Sequence, residues 1–496
     1  MKDKKVNKVF IISLIITVIF SIVGILIRDS FLERANALMS FLKNNFSWMY
    51  LIIMMFFVIF CLVLAFSKFG DIRLGSDDER PEYSTISWFA MLFCAGMGVG
   101  LVFWGISEPL SHYVNPIAGI EPQTQEAARF SIRSCFMHWG LHPWACYAVV
   151  GLCLAYIQYR KKEKGLISSL FIPLLGRKKV EGKSGKIIDI FAVVLTVVGV
   201  ATSFGMGCMQ ICNGMNYLFG IPDNVKTWIL VIVIIACCYL KSATSGVGKG
   251  IKMLSNFNLI LSIVLLVASF IMGPTVNILN IMTNGIGEYI TNFFGDSLGI
   301  NPFGDNTWIF NWRVFYWAWW TGWAPFVGIF IARISRGRTI REFIYGVILA
   351  PTLASICWFS VFGGVTLNVA DHFSLEQLTQ MIASPQTALF IVFNEYKFGI
   401  ILSILTIILL ITFFITSADS ATFVLAMMTS DGENNPPNYK KIIWGILQAV
   451  FAFVLIVSGG VSAIQIVSIV MAFPFLFIMV GACVSLVKAL KEENGN

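Results

Sequence analysis

The chain has 496 residues, 57% of them hydrophobic and only 12% charged, with a formal net charge of +8. Soluble chains carry about twice that share of charge, and apolar runs of about 20 residues, the length a bilayer crossing needs, recur from end to end. This excludes a string of soluble domains and describes an all-α polytopic membrane protein in a lipid bilayer, whose basic excess reads as a topology signal and suggests no nucleic-acid partner.

In chain order the predicted spans are twelve, at about 9–27, 48–67, 85–104, 134–157, 187–218, 226–241, 254–272, 308–335, 343–366, 398–428, 439–459 and 463–487. The first follows Lys2, Lys4, Lys5 and Lys8 like the start of a signal peptide. It is long and lacks a small-residue cleavage site, so it reads as a retained helix. In the third span Gly96, Gly98 and Gly100 alternate. Alternate glycines at mid-membrane let a helix unwind and show its backbone to a ligand or ion; close packing of small residues is the other reading.

The fourth span carries Trp139, Trp144 and Tyr147, three rings that could line one broad wall, with Pro143 expected to kink the segment. His138 and His142 stand four apart with no third metal ligand nearby, so both read as hydrogen-bonded structural histidines. The fifth span brings the hydroxyls of Thr196, Thr202 and Ser203, and then Cys208 and Cys212. With no His or carboxylate beside them, these two are read, like the other nine cysteines, as small hydrophobes. No disulfide framework is suggested. Residues 275–300 are amphipathic but too short and polar to span, which predicts a helix lying on the outer surface.

The eighth span reads Tyr316-Trp-Ala-Trp-Trp-Thr-Gly-Trp-Ala-Pro-Phe-Val-Gly328. On a helix Tyr316, Trp320 and Trp323 share a face that Trp319 widens. Stacked indoles in a dry setting attract bulky cations, quaternary ammonium above all; an interfacial Trp belt is the bland alternative. Gly322, Pro325 and Gly328 are expected to interrupt this helix. The tenth span places Thr416, Ser417, Asp419 and Ser420 inside the membrane, where polar groups carry a presumption of function. Neutral hydroxyls suit Na⁺, and back-bonding to the helix is the ordinary alternative. Asp419 is open between ion ligand, proton carrier and partner of a buried base.

Loop charge sets the orientation. The 158–187 loop holds nine Lys or Arg against two acids, and Arg333, Arg336, Arg338 and Arg341 follow the eighth span. Lys241, Lys249 and Lys252 mark a third basic connection, whereas 273–307 has no Lys or Arg, so both termini are placed in the cytoplasm. The acid-rich 68–84 loop departs from this pattern, although acids weigh little in the rule. Two interrupted spans, each followed by four more, suggest inverted five-helix repeats at 85–272 and 308–487 joined by 273–307. A tail and two leading helices precede them at 1–84. The terminal tails, 488–496 among them, are short, and no cytoplasmic domain is expected. No nucleotide loop, nucleophile elbow or metal spacing argues for an enzyme, and a ligand-gated channel would not need a paired aromatic box.

These residues also resemble a family. Gly96 to Trp104 followed by Ser107-Glu-Pro109, His138 to Tyr147, the Trp-rich stretch, Ala332-Arg-Ile-Ser-Arg-Gly-Arg338 and Ile415 to Ser420 are similar to the motifs of betaine/choline/carnitine transporters, nearly end to end. The resemblance implies the LeuT-like inverted-repeat fold with two additional N-terminal helices, commonly a homotrimer in the cell membrane. It implies uptake of glycine betaine, an osmoprotectant, or a related trimethylammonium zwitterion by Na⁺ symport, with sodium-independent exchange of carnitine-type betaines as the alternative. By the resemblance Trp139, Trp144, Tyr147 and Trp320 would form the cage, with Trp323 a second aromatic contact on the path; the reading of the residues themselves adds Trp319 to that face and the backbone of Gly96, Gly98 and Gly100. A first Na⁺ would take Cys94, Met97, Phe413, Thr416 and Ser417. A second would take Thr196 and Phe326, but Val200 stands where the family pattern has a hydroxyl. Choline carriers tend to be acidic at the position of Gly100, so a zwitterion is expected here. The long charged tails of osmotically regulated members are not expected.

Overall fold

An apolar chain in a bilayer has to satisfy its backbone polar groups internally, and helices do that within one segment. The computed structural model describes residues 7–26, 28–96, 98–245 and 248–494, with backbone alone described at 28–29, 31, 93–96, 248–252 and 494. Lys2, Lys4, Lys5 and Met97 lie outside the described residues. Among the described residues there is no strand, only one isolated antiparallel bridge between Arg73 and Thr339.

The main helices are α1 (Lys8–Leu26), α2 (Arg28–Phe66), α3 (Thr85–Gly96), α4 (Val99–Val114), α5 (Gln125–Trp139) and α6 (Leu141–Ala155). After the basic loop come α7 (Lys183–Phe219), α8 (Val225–Ser245) and α9 (Gly248–Met272). The predicted surface segment forms α10 (Thr275–Thr291) and α11 (Phe293–Leu298). The chain ends with α12 (Phe315–Ile334), α13 (Ile340–Val369), α14 (Gly399–Met428), α15 (Asn438–Gly459) and α16 (Val461–Asn494). Among the described residues, ten stretches are long and apolar enough to cross a membrane: α1, α2, the α5–α6 pair, α7, α8, α9, α13, α14, α15 and α16. The other two predicted spans fall on α3–α4 and on α12. Helix also fills segments that composition assigned to connection and tail, since α2 takes in the polar residues from 28 and α16 runs through the tail to Asn494.

Two expectations about interruption are corrected. The Trp-rich span is a continuous helix, preceded by a π-helical turn at Ile309–Val314. Its small residues serve close approach to neighbours. A Cβ built on Gly199 of α7 would lie 2.6 Å from the Gly322 carbonyl oxygen, and one on Gly328 would lie 2.6 Å from Val150 of α6. Pro325 removes one N–H but leaves the helix running. The second interruption is instead at Gly140, between α5 and α6. A Cβ there would lie 2.4 Å from the Phe136 carbonyl oxygen and 2.8 Å from the Tyr289 hydroxyl. Tyr289 reaches in from α10 and accepts the orphaned N–H of Leu141 at 3.1 Å. Pro143 is thereby third in a new helix, where a missing N–H costs nothing, and it does not kink the segment.

The acid-rich 68–84 loop also finds its reason. Asp71 pairs with Arg341 at 2.5 Å, Glu79 with Arg336 and Asp77 with Arg160, so its acids face the bases of adjoining basic loops. Arg73 adds a bond to the Gly337 carbonyl at 3.0 Å.

The backbone contact between Gly199 and Gly322 has no side chain that could give way. Gly199→Val is expected to destabilise the fold by about 1–3 kcal/mol, the usual cost of overpacking. Thermal unfolding of the purified protein in detergent reads this directly, and an unchanged midpoint would show that α7 and α12 separate at will.

Candidate functional site

The α3–α4 break places Gly98 in an extended conformation (φ −136°, ψ −162°) as the N-cap of α4, with no side chain capping the helix. A Cβ on Gly98 would meet nothing within 4 Å among the described residues, and Gly98 lines a cavity. The cavity is walled by Gly98 to Leu101, Trp139, Tyr147, Ser203, Phe204, Trp319, Trp320, Trp323 and Ser417, drawn from the start of α4 and from α5, α6, α7, α12 and α14. One wall is aromatic. The ring of Trp320 stands 5.0 Å from Trp139 and 5.7 Å from Tyr147, nearly perpendicular to both, and 5.4 Å from Trp319, nearly parallel. The N-terminus of α4 also lines the cavity; no side chain caps it, Leu101 N–H turns back to the Gly98 carbonyl at 3.1 Å, and the helix dipole there favours negative charge.

Of the sequence-predicted residues, Trp139, Tyr147, Trp319, Trp320, Trp323, Gly98 and Gly100 meet at this cavity. Trp144 stands behind Tyr147, edge to face at 5.6 Å. Gly96 ends α3, with its backbone alone described. Gly100 is fixed by contact, since a Cβ there would lie 2.4 Å from the Trp319 ring. Tyr316 shares the helix but turns away from the cavity.

Tyr316 turns toward Glu108, a fully buried carboxyl on α4 that sequence reasoning had not singled out. Its Oε2 accepts the indole N–H of Trp139 at 2.7 Å and the hydroxyl of Tyr316 at 2.5 Å. Its Oε1 lies 2.7 Å from His138 Nδ1 and 3.4 Å from His112 Nε2. The predicted third span stopped at residue 104, whereas α4 runs on to Val114 and carries Glu108 into the bundle. An acid placed inside a span would have been the signal. Glu108, His112 and Cys135 offer ligand atoms within 4.8 Å of one another, but the carboxyl is already engaged by hydrogen bonds. His138 is the hydrogen-bonded histidine that was expected. His142 is different: it stacks on Trp317 at 4.9 Å, and neither ring nitrogen has a hydrogen-bond partner among the described residues. Trp320 is held separately, donating at 2.9 Å to the His138 carbonyl beside the Gly140 break.

A second cavity shares Trp323 and Ser417 with the first, and Phe326, Phe413 and Thr416 line it. Thr416 donates back to its own helix, to Thr412 and Phe413 carbonyls at 3.0 and 3.1 Å, and accepts from Asn258 of α9 at 3.1 Å. Asn258 was not foreseen, and its Oδ1 has no partner among the described residues. The side chain of Cys94, like Met97, lies outside the described residues, so only Phe413, Thr416 and Ser417 of that set can be placed together. Thr196 is buried with its hydroxyl on the Ala192 carbonyl at 2.7 Å, away from the cavity that Phe326 lines. Val200 is buried beside it. Asp419 accepts from Ser242 of α8 at 2.6 Å, next to Ala243, whose carbonyl accepts from Lys441 at 3.2 Å.

The family profile described as betaine/carnitine/choline family transporter matches residues 8–495. The glycine betaine transporter OpuD of Bacillus subtilis is 47% identical over 494 residues, covering 99% of this chain and 95% of the relative. A probable glycine betaine transporter of Desulfitobacterium hafniense is 42% identical, covering 99% of each. An ectoine/hydroxyectoine transporter of Virgibacillus pantothenticus is 40% identical, covering 98% of this chain and 97% of the relative.

Gly100→Ala puts a methyl group against Trp319 and is expected to push that ring off the cage. Binding of tetramethylammonium, followed by tryptophan fluorescence, should weaken about fivefold or more, the worth of one cation–π partner. Undiminished binding would remove Trp319 from the site.

Proposed function

The chain belongs to the betaine/carnitine/choline transporter family, and on that premise we propose that it imports glycine betaine or a closely related trimethylammonium zwitterion by Na⁺ symport with alternating access. The observation that carries this reading is the meeting, at one cavity, of an aromatic wall and a helix N-terminus that no side chain caps. A trimethylammonium group cannot donate hydrogen bonds and is best held by π-faces. A carboxylate suits backbone N–H groups at a positive helix end. Trp139, Tyr147 and Trp320 take the cation, with Trp319 packed on Trp320, Trp144 bracing Tyr147, and Trp323 where the two cavities meet. Gly96, Gly98 and Gly100 leave the backbone of the break free to meet the carboxylate. Gly100 favours a zwitterion over choline, because no side chain, acidic or otherwise, fits against Trp319. The relatives named as glycine betaine transporters support the same substrate.

For the ion, Phe413, Thr416 and Ser417 with the backbone of Cys94 and Met97 form the first Na⁺ site of this proposal. Oxygens without net protein charge suit a partly dehydrated Na⁺. Thr196 and Phe326 make at most a weak second site, since Val200 brings no oxygen. The full reading has twelve spans, two inverted five-helix repeats behind two leading helices, cytoplasmic termini, a plasma-membrane location and a homotrimeric assembly.

In proteoliposomes, labelled glycine betaine should accumulate against its gradient with external Na⁺ and stop doing so when K⁺ replaces it. Thr416→Ala should raise the Na⁺ needed for half-maximal uptake while leaving betaine binding to the cage. Uptake indifferent to Na⁺, with counterflow intact, would instead establish an exchanger.

Trp320→Leu should abolish uptake at normal membrane abundance and Trp320→Phe should keep part of it, because several rings at about 0.5–2 kcal/mol each supply the binding. Equal affinity in the Leu variant would remove Trp320 from the cage.

A further inference from the structure

We propose that Glu108 is a positioning and specificity-determining residue that acts through Trp139, making that indole a stronger cation receptor. The inference rests on the reading of the cavity as a trimethylammonium site. Glu108 does not line the cavity. It stands behind the aromatic wall, fully buried, and holds Trp139 by its indole N–H at 2.7 Å.

Two effects follow from that bond. The first is geometric. Trp139 sits at the last residue of α5, beside the Gly140 break, where the helix no longer fixes its direction. The bond to Glu108 supplies the missing constraint, and Tyr316 on the same oxygen ties the arrangement to α12. The second is electrostatic. A hydrogen bond from an indole to a carboxylate is charge-assisted. It draws the proton outward and leaves more electron density on the ring, which deepens the potential a cation meets at the π-face. Both donors on Oε2 are neutral, so neither cancels the charge turned toward Trp139. Trp320, by contrast, donates to a neutral backbone carbonyl, and Trp319 and Trp323 have no acceptor among the described residues. Trp139 is therefore the one ring of the described wall with a carboxylate behind it.

Glu108→Gln separates the two effects. The Gln oxygen can take the place of Oε2 and accept from both Trp139 and Tyr316. Its NH₂ then faces His138 Nδ1, which can accept when the ring carries its proton on the unpartnered Nε2. Shape and hydrogen bonds persist, and the charge is gone. The probes are glycine betaine and 3,3-dimethylbutanoate, which has the same shape and carboxylate but carbon in place of the cationic nitrogen. Binding of each to the purified protein is followed by tryptophan fluorescence.

In the unaltered protein betaine should bind more tightly than its carbon counterpart; if it does not, the trimethylammonium reading itself fails. In E108Q betaine should weaken about fivefold while 3,3-dimethylbutanoate changes less than about twofold, so that discrimination shrinks. Equal weakening of both would reduce Glu108 to a prop, and unchanged discrimination would also overturn the proposal. Should E108Q fail to reach the membrane, Tyr316→Phe carries the test, because it leaves Trp139 the sole donor on Oε2. Discrimination kept or enlarged in Y316F supports the proposal, and its loss refutes it.

Discussion

A carboxyl group taken out of water into an apolar bundle has to be met by donors, and leaving it unmet costs several kcal/mol. Glu108 meets its donors on α5 and α12, through Trp139, His138 and Tyr316, and on its own helix through His112. These helices and α4 are the ones that wall much of the cavity. The requirement to satisfy one buried group thus fixes the mutual arrangement of the elements that hold the rings. A purely apolar core could have packed in several registers, but a carboxyl with directional partners accepts few.

The same economy runs through the interruptions. Where α5 stops at Gly140, the freed groups are put to use: the Leu141 N–H goes to Tyr289 on the surface helix α10, and the His138 carbonyl takes the indole of Trp320. Where α4 begins, Gly98 to Leu101 line the cavity, and no side chain caps the helix. One break is sealed by the protein, and the other faces a space that a ligand can fill.

Much of this was legible in the residues. The apolar runs revealed a helical membrane protein, the Trp cluster the cavity wall, and the alternate glycines the break at Gly98. Composition could not say which glycines break a helix and which let two helices touch. Gly322 and Gly328 look like breakers beside Pro325, yet the partners that make them packing residues, Gly199 and Val150, are far away in sequence. Gly140 looks innocuous because its reason to exist is Tyr289, contributed from outside the span. Glu108 was hidden by a boundary drawn ten residues early, where Ser107, Glu108 and His112 lower the hydropathy of a helix that is nonetheless buried throughout. Pairings over such separations are properties of the fold and leave no local periodicity.

The contact of Gly199 with Gly322 has a mechanical meaning. Two helices that meet backbone to backbone have no rotamers at the crossing point to rearrange and no interdigitated side chains to shear. Such a crossing resists translation, because the chains already touch, yet it opposes tilting only weakly. At this point the Trp-rich helix rests on α7 as a beam on a fulcrum, and α6 holds its far arm, where Gly328 packs against Val150. The rings of Trp319 and Trp320, which wall the first cavity, sit on one arm, Phe326, which lines the second cavity, sits on the other, and Trp323 lies almost over the point of support.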